Sequence, residues 1–239
     1  MSVDAGTLVI ALLVMAAAST VQASVGFGAN LLAAPTFAIL DPDLVPGPIF
    51  LATGVLTFAT ALRERDDVDR QVVGWATAGR LPGALVGALV LATATDRSIQ
   101  LMVGISILVA VVLSSGVIHI PERRRTFFGA GVVSGFGATT AAIGGPPLAL
   151  TLQHRNGPAL RATMGAFFSI GAVITLPAIA AAGRLGRDEL LVGAALIPGA
   201  LLGFAISGPL RPRVDAGRVR PLVLGLATLA AVVLIIRTR

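Results

Sequence analysis

Apolar stretches alternate with short polar loops along the whole chain. They run over about Ala5–Ala23, Ala29–Leu40, Leu44–Leu62, Gln71–Ala94, Ser98–Ser115, Thr126–Ala138, Ile143–Leu152, Pro158–Ala182, Leu190–Leu210 and Ala216–Ile236. A bilayer crossing needs about 20 mostly apolar residues, and six of these runs are long enough to cross unaided. Three fall well short. At ~1.5 Å rise per residue Ala29–Leu40 covers about 18 Å, and Thr126–Ala138 and Ile143–Leu152 are similarly brief. Such lengths predict half-crossings. The order of lengths repeats: two segments joined by a Gly-rich break, then three long helices, twice over. The units cover about residues 5–115 and 126–236 of one membrane domain, 1–239. The breaks share letters, with Gly26-Phe27-Gly28-Ala29 recurring as Gly135-Phe136-Gly137-Ala138, which favours duplication.

A duplicated unit with an odd number of segments is inverted in its second copy. The expected fold is an all-α polytopic membrane protein with an inverted-topology repeat. Each half is a broken or re-entrant helical hairpin plus three full transmembrane helices. If each hairpin enters and leaves on one face, the loops Arg63–Arg70, Gly116–Arg125 and Arg211–Arg220 gather on that face together with Arg155 and Arg161. Only Arg97, Arg184, Arg187, Arg237 and Arg239 fall on the other. If each hairpin crosses once instead, the asymmetry is weaker. The positive-inside rule prefers the sharper split, which puts the Arg-rich loops in the cytoplasm and both termini outside the inner membrane.

Composition agrees with this picture. The chain has 239 residues, 55% hydrophobic and 13% charged, with a mean hydropathy of +0.90. Soluble domains carry about a quarter charged residues. Cysteine is absent, which excludes disulfides, thiolate metal sites and thiol redox chemistry. All 18 basic residues are Arg. Set in short loops between apolar runs, they read as topology signals and not as a nucleic-acid footprint, so no nucleic-acid partner is expected. Asp4 is the only charge before the first apolar run, so a cleavable signal peptide is not expected.

Candidate chemistry concentrates at the breaks. Non-helical backbone at membrane depth is tolerated only when buried in protein or lining a wet cavity. The first break holds Gln22, Ser24, Gly26, Gly28 and Asn30; the second holds Thr139, Thr140, Gly144, Gly145 and Pro146. Glycine permits the reversal, proline suits the first turn of the returning helix, and helix N-termini attract anions. Close packing through small residues is the plainer alternative. The polar residues flanking both breaks favour a binding centre for a small anionic substrate. Arg80 lies mid-segment, where a charge costs ~2.5–3.5 kcal/mol on insertion scales and usually faces a cavity or partner. No Asp or Glu lies inside an apolar segment, so the interior charge favours anions over cations. The other reading of Arg80 is a shifted helix that lets it snorkel to an interface. His154 and Arg155 read as helix-end anchors, and Arg123-Arg124-Arg125 as an orientation signal. Hydrolase motifs such as HExxH and GxSxG are missing; no enzyme activity and no cofactor are expected.

On these motifs the chain resembles the TauE/SafE-like sulfite/organosulfonate exporter family, also called the toluene sulfonate uptake permease family. Gly26-Phe27-Gly28-Ala29-Asn30 with Pro35 is similar to the family's first Gly-rich signature. Ala142-Ile143-Gly144-Gly145-Pro146-Pro147 is similar to the second. Val68-Asp69, Arg161-Ala162-Thr163 and Phe167-Phe168 look like further family stretches. Ala29 and Asn30 stand where the family commonly has glycine, a departure that bears on which anion fits. The resemblance implies a secondary transporter of sulfur-containing anions such as sulfite, sulfoacetate or related organosulfonates, working in a lipid bilayer. A passive anion channel and a non-transporting scaffold are the rival readings. Transport direction, coupling ion and the existence of a homo-oligomer stay open.

Overall fold

The computed structural model describes residues 4–114, 120–214, 232–234 and 236. Among these residues the chain forms α-helices and short 3-10 turns, with no strand. Asp4 starts α1 (Ala5–Val25) by accepting the Gly6 and Thr7 N–H groups. The helix stops at Gly26, which sits at φ 105° and returns its N–H to Gln22 O. After Gly28, at φ 112°, α2 (Ala29–Leu40) begins. Then follow α3 (Gly47–Arg63), α4 (Arg70–Ala92), α5 (Asp96–Ser114), α6 (Arg124–Ala141), α7 (Gly145–Thr151), α8 (Gly157–Ala181) and α9 (Arg187–Val214). The tenth apolar run, Ala216–Ile236, lies almost wholly outside the described residues.

Six of the described helical stretches are long and apolar enough to cross a bilayer: Ala5–Val25, Pro42–Arg63, Arg70–Ala92, Asp96–Leu113, Gly157–Ala181 and Arg187–Arg211. Their outward faces are apolar, with Leu85, Leu89 and Val173 exposed, while Ser19, Thr53, Thr57 and Thr175 are buried. Large apolar side chains outside and hydroxyls inside invert the order of a water-soluble core. This is a multi-pass membrane protein.

Two expectations need correction. Thr126–Ala138 is not a half-length segment: α6 has 18 residues, about 27 Å at the helical rise. Polar Thr139 and Thr140 do not end it, because their hydroxyls donate to Gly135 O and Phe136 O of the same helix, each at 2.9 Å. In addition, Gly135-Phe136-Gly137-Ala138 lies inside α6 and makes no break. A Cβ at Gly135 would lie 2.9 Å from the Ala84 backbone nitrogen, so this glycine serves helix contact. The second break is Ala142-Ile143-Gly144, and Ala142 at φ 58° takes the left-handed role of Gly26. At the same constant spacing, Leu81-Pro82-Gly83-Ala84-Leu85 of α4 recurs as Ile197-Pro198-Gly199-Ala200-Leu201 of α9.

Packing follows the small residues. The most extensive contacts join α4 to α6 and α1 to α9, then α3 to α9, α3 to α8 and α4 to α8. Along the first seam a Cβ on Gly79, Gly83 or Gly131 would run into the carbonyls of Phe128, Val132 and Ala76 respectively. Along the second, a Cβ on Gly199 would sit 2.7 Å from Leu12 O. Backbones approach this closely only where side chains are missing.

One end of the bundle is clamped by charge. Glu64 accepts from Arg161 Nε and Arg211 Nη1, both at 3.0 Å. Arg155 joins Asp69 at 2.8 Å to Glu122 at 2.6 Å. The Asp69 N–H donates to Thr163 Oγ1 at 3.1 Å, so the Val68-Asp69 and Arg161-Ala162-Thr163 stretches form a single clasp. Arg184 pairs with Asp96 at the other end. Asp69 also caps α4. Partial burial pushes its carboxyl up, but the Val72 N–H and the Arg155 guanidinium outweigh this and hold it below its ordinary value. A carboxylate depressed in the folded state stabilises the fold above its unfolded value near 3.9, and that contribution is lost as pH falls through the folded value. Asp69→Ala is expected to lower stability at neutral pH by about 1 kcal/mol or more, the usual worth of a lost cap. Asp69→Asn keeps the cap and should cost less. Melting curves in detergent check this: the gap between wild type and Asp69→Asn should close below about pH 4. A gap that persists in acid would assign it to packing.

Candidate anion site

The two breaks touch. Asn30, in the first turn of α2, donates from Nδ2 to Ala142 O in the second break at 2.7 Å. Gly145 lies against Phe27, with room for a Cβ only 3.2 Å from the Phe27 Cβ. Each break is braced from its own helix. Gln22 Oε1 accepts the Ala29 N–H at 3.1 Å, capping α2, and the Ser134 hydroxyl donates to Gly144 O.

A cavity opens where the breaks meet. Gln22, Gly28, Asn30, Arg80, Gly144, Gly145 and Pro146 line it, joined by Phe50, Thr53, Gly54, Thr57 and Phe168. Arg80 is fully buried. Its Nε and Nη2 both reach Thr175 Oγ1, at 3.3 and 3.1 Å. Its guanidinium lies 4.9 Å from the Phe167 ring centre and 5.8 Å from that of Phe50. Gly171 leaves space for it, since a Cβ there would collide with the guanidinium. Nη1 has no hydrogen-bond partner, and Arg80 makes no ion pair among the described residues. Arg80 therefore does not snorkel. It is a cation held in the protein interior by rings and a hydroxyl, with one nitrogen to spare.

Four residues singled out from the sequence do not line the cavity. Ser24 turns its hydroxyl back to Thr20 O at 2.7 Å, and its carbonyl accepts from Arg161. Gly26 packs against the Arg161 backbone and side chain. Thr139 and Thr140 bond to their own helix. In the other direction, Phe50, Thr53, Thr57 and Phe168 were missed. Thr53, Thr57 and Thr60 recur at helical spacing in an otherwise apolar run, a polar stripe that marks an inward face.

Helices of membrane-crossing length, packed around a buried arginine and the cavity it lines, define a polytopic membrane protein. The chain belongs to the sulfite exporter TauE/SafE family, whose model matches residues 11–234. The family is one of membrane transporters, which implies a small anionic substrate and a lipid bilayer as its surroundings. No curated protein and no solved structure matches the chain.

Proposed function

We propose that the protein is a secondary transporter of small sulfur-containing anions, such as sulfite, sulfoacetate or related organosulfonates, with one binding site near the bilayer midplane. The observation that carries this reading is the unpartnered Nη1 of buried Arg80, a residue that lines the cavity where both breaks meet. A buried charge without a counter-ion costs several kcal/mol, and a bound anion offsets that cost. Gln22, Asn30 and the backbone around Gly28 and Gly144–Pro146 would orient the anion. Sulfur enters through family membership, not through the geometry.

We read the two halves as inverted repeats. The constant spacing between the two breaks and between the two Pro-Gly stretches supports this. So does the exchange in packing, in which α4 on α6 matches α9 on α1 and α3 on α9 matches α8 on α4. Rocking of one half against the other across the α3–α8 seam would alternate access. The arginines of the charged clasp would face the cytoplasm by the positive-inside rule, with both termini outside an inner membrane.

Reconstituted proteoliposomes test the proposal. Sulfite or sulfoacetate flux should saturate and should show counterflow against a preloaded gradient. Flux that rises linearly without counterflow would make the protein a channel, and no flux of any sulfur anion would make it a scaffold.

A further inference from the structure

Asn30 carries an acceptor that nothing in the described protein uses. Its Nδ2 donates to Ala142 O, which settles the amide's orientation, because the flipped amide would set oxygen against carbonyl oxygen. Oδ1 is left buried and without a partner. The cavity's other groups sort in the same way. Gln22 spends its oxygen on the Ala29 N–H and keeps its NH2 as a donor. Thr53 and Thr57 give their protons to Ile49 O and Gly54 O, both at 2.9 Å, and offer only lone pairs. Arg80 Nη1 is a charged donor without an acceptor. Arg80 is also the one ionisable side chain among the described lining residues, which come from α1, α2, α3, α4, α6, α7, α8 and the two breaks. Glu64, Asp69 and Glu122 are engaged by arginines at the end of the bundle.

The site thus presents one positive charge, an amide donor and an orphaned acceptor. A fully ionised oxyanion has only lone pairs and leaves Asn30 Oδ1 unsatisfied, at a cost of about 1–3 kcal/mol for a buried polar group. We propose that the cavity takes a small, singly charged oxyanion that retains one O–H. Its charged oxygens meet Arg80 Nη1 and the Gln22 amide, and its proton meets Asn30 Oδ1. Hydrogensulfite is the simplest such species; a hydroxyalkyl sulfonate has the same chemistry. The inference rests on the transport-site reading and adds the cargo's protonation state. Its consequence is that hydrogensulfite carries its own proton across, which requires no acidic side chain in the membrane interior.

Binding to the purified full-length protein in detergent tests this, followed by calorimetry from mildly acidic to mildly alkaline pH with three probes. Sulfite loses its second proton within that range. Methanesulfonate stays a monoanion without a donor, and 2-hydroxyethanesulfonate stays a monoanion with one. Sulfite affinity should fall about tenfold per pH unit once the dianion dominates, the slope of a single linked proton. The hydroxyl-bearing sulfonate should bind at least tenfold tighter than methanesulfonate, at every pH. Asn30→Ala should flatten the sulfite slope and remove the hydroxyl's advantage; if that variant does not fold, the wild-type comparison decides alone. Sulfite binding that ignores pH, or methanesulfonate binding as tightly as its hydroxylated relative, overturns the inference and leaves the transport site standing. A slope shared by methanesulfonate belongs to the protein and not to the anion's proton, and overturns it as well. Failure of all three anions to bind at any pH sinks the transport site itself.

Discussion

Arg80→Met is expected to reduce anion flux in proteoliposomes by roughly 100-fold while leaving the melting temperature unchanged or raised. The flux estimate follows from the ~2–5 kcal/mol lost when one partner of a buried charge interaction is truncated. The stability expectation follows from the other side of the same physics. Among the described residues Arg80 has no carboxylate to offset its desolvation, only Thr175 and two rings. Replacing buried charge by an apolar side chain of similar volume is commonly neutral or stabilising by ~1–4 kcal/mol. A residue that costs stability and supports flux is the mark of a functional site. Flux retained in Arg80→Met would remove Arg80 from the mechanism. Flux lost together with a large drop in melting temperature would assign Arg80 to the scaffold instead.

The second large effect lies on the seam between α4 and α6. Gly83→Val should sharply reduce the yield of folded protein, or lower its melting temperature steeply. A Cβ at this position runs into Val132 O and comes within 3.0 Å of the Phe136 nitrogen. These are backbone atoms that cannot rotate away. Overpacking a well-packed interior costs ~1–3 kcal/mol even where side chains can give, and here two whole helices must separate. The same helices supply the control. A Cβ on Gly74 or Gly129 meets nothing within 4 Å. Gly74→Ala and Gly129→Ala should therefore be neutral or stabilising by about 0.5–1 kcal/mol, the usual gain for glycine in a helix interior. Size-exclusion profiles and melting curves of the three variants measure the contrast. Equal behaviour of all three would show that the close helix approach is not what holds the bundle.

How much of this was legible beforehand depends on whether local or distant atoms decide. The apolar run Ala29–Leu40 matches α2 residue for residue, because a short helix between a Gly break and a Pro-containing turn is bounded by its own letters. The place of Arg80 within an apolar segment left burial and snorkelling both open, and only its neighbours Thr175, Phe50 and Phe167 decide for burial. The hydroxyl residues were harder. Ser24, Thr139 and Thr140 looked like donors awaiting a ligand, yet each satisfies itself on its own helix, the ordinary fate of a hydroxyl in an apolar helix. Gly135 read as a turn residue, and only its neighbour across the seam reveals a contact residue. The pairing of Asn30 with Ala142 joins positions more than a hundred residues apart, and nothing local to either one announces it. Phe168 was singled out only as part of a motif, and its place on the cavity wall is likewise a long-range fact.

The left-handed alanine at the second break has a mechanical meaning of its own. Gly26 adopts that backbone conformation freely, whereas Ala142 does so at roughly 1–2 kcal/mol, the usual penalty for a side chain there. The two breaks are thus unequally sprung. In the proposed carrier, that cost tilts the empty molecule toward whichever orientation relieves it, by at most about fivefold to thirtyfold in population. One methyl group would then decide which side of the bilayer the vacant carrier greets first.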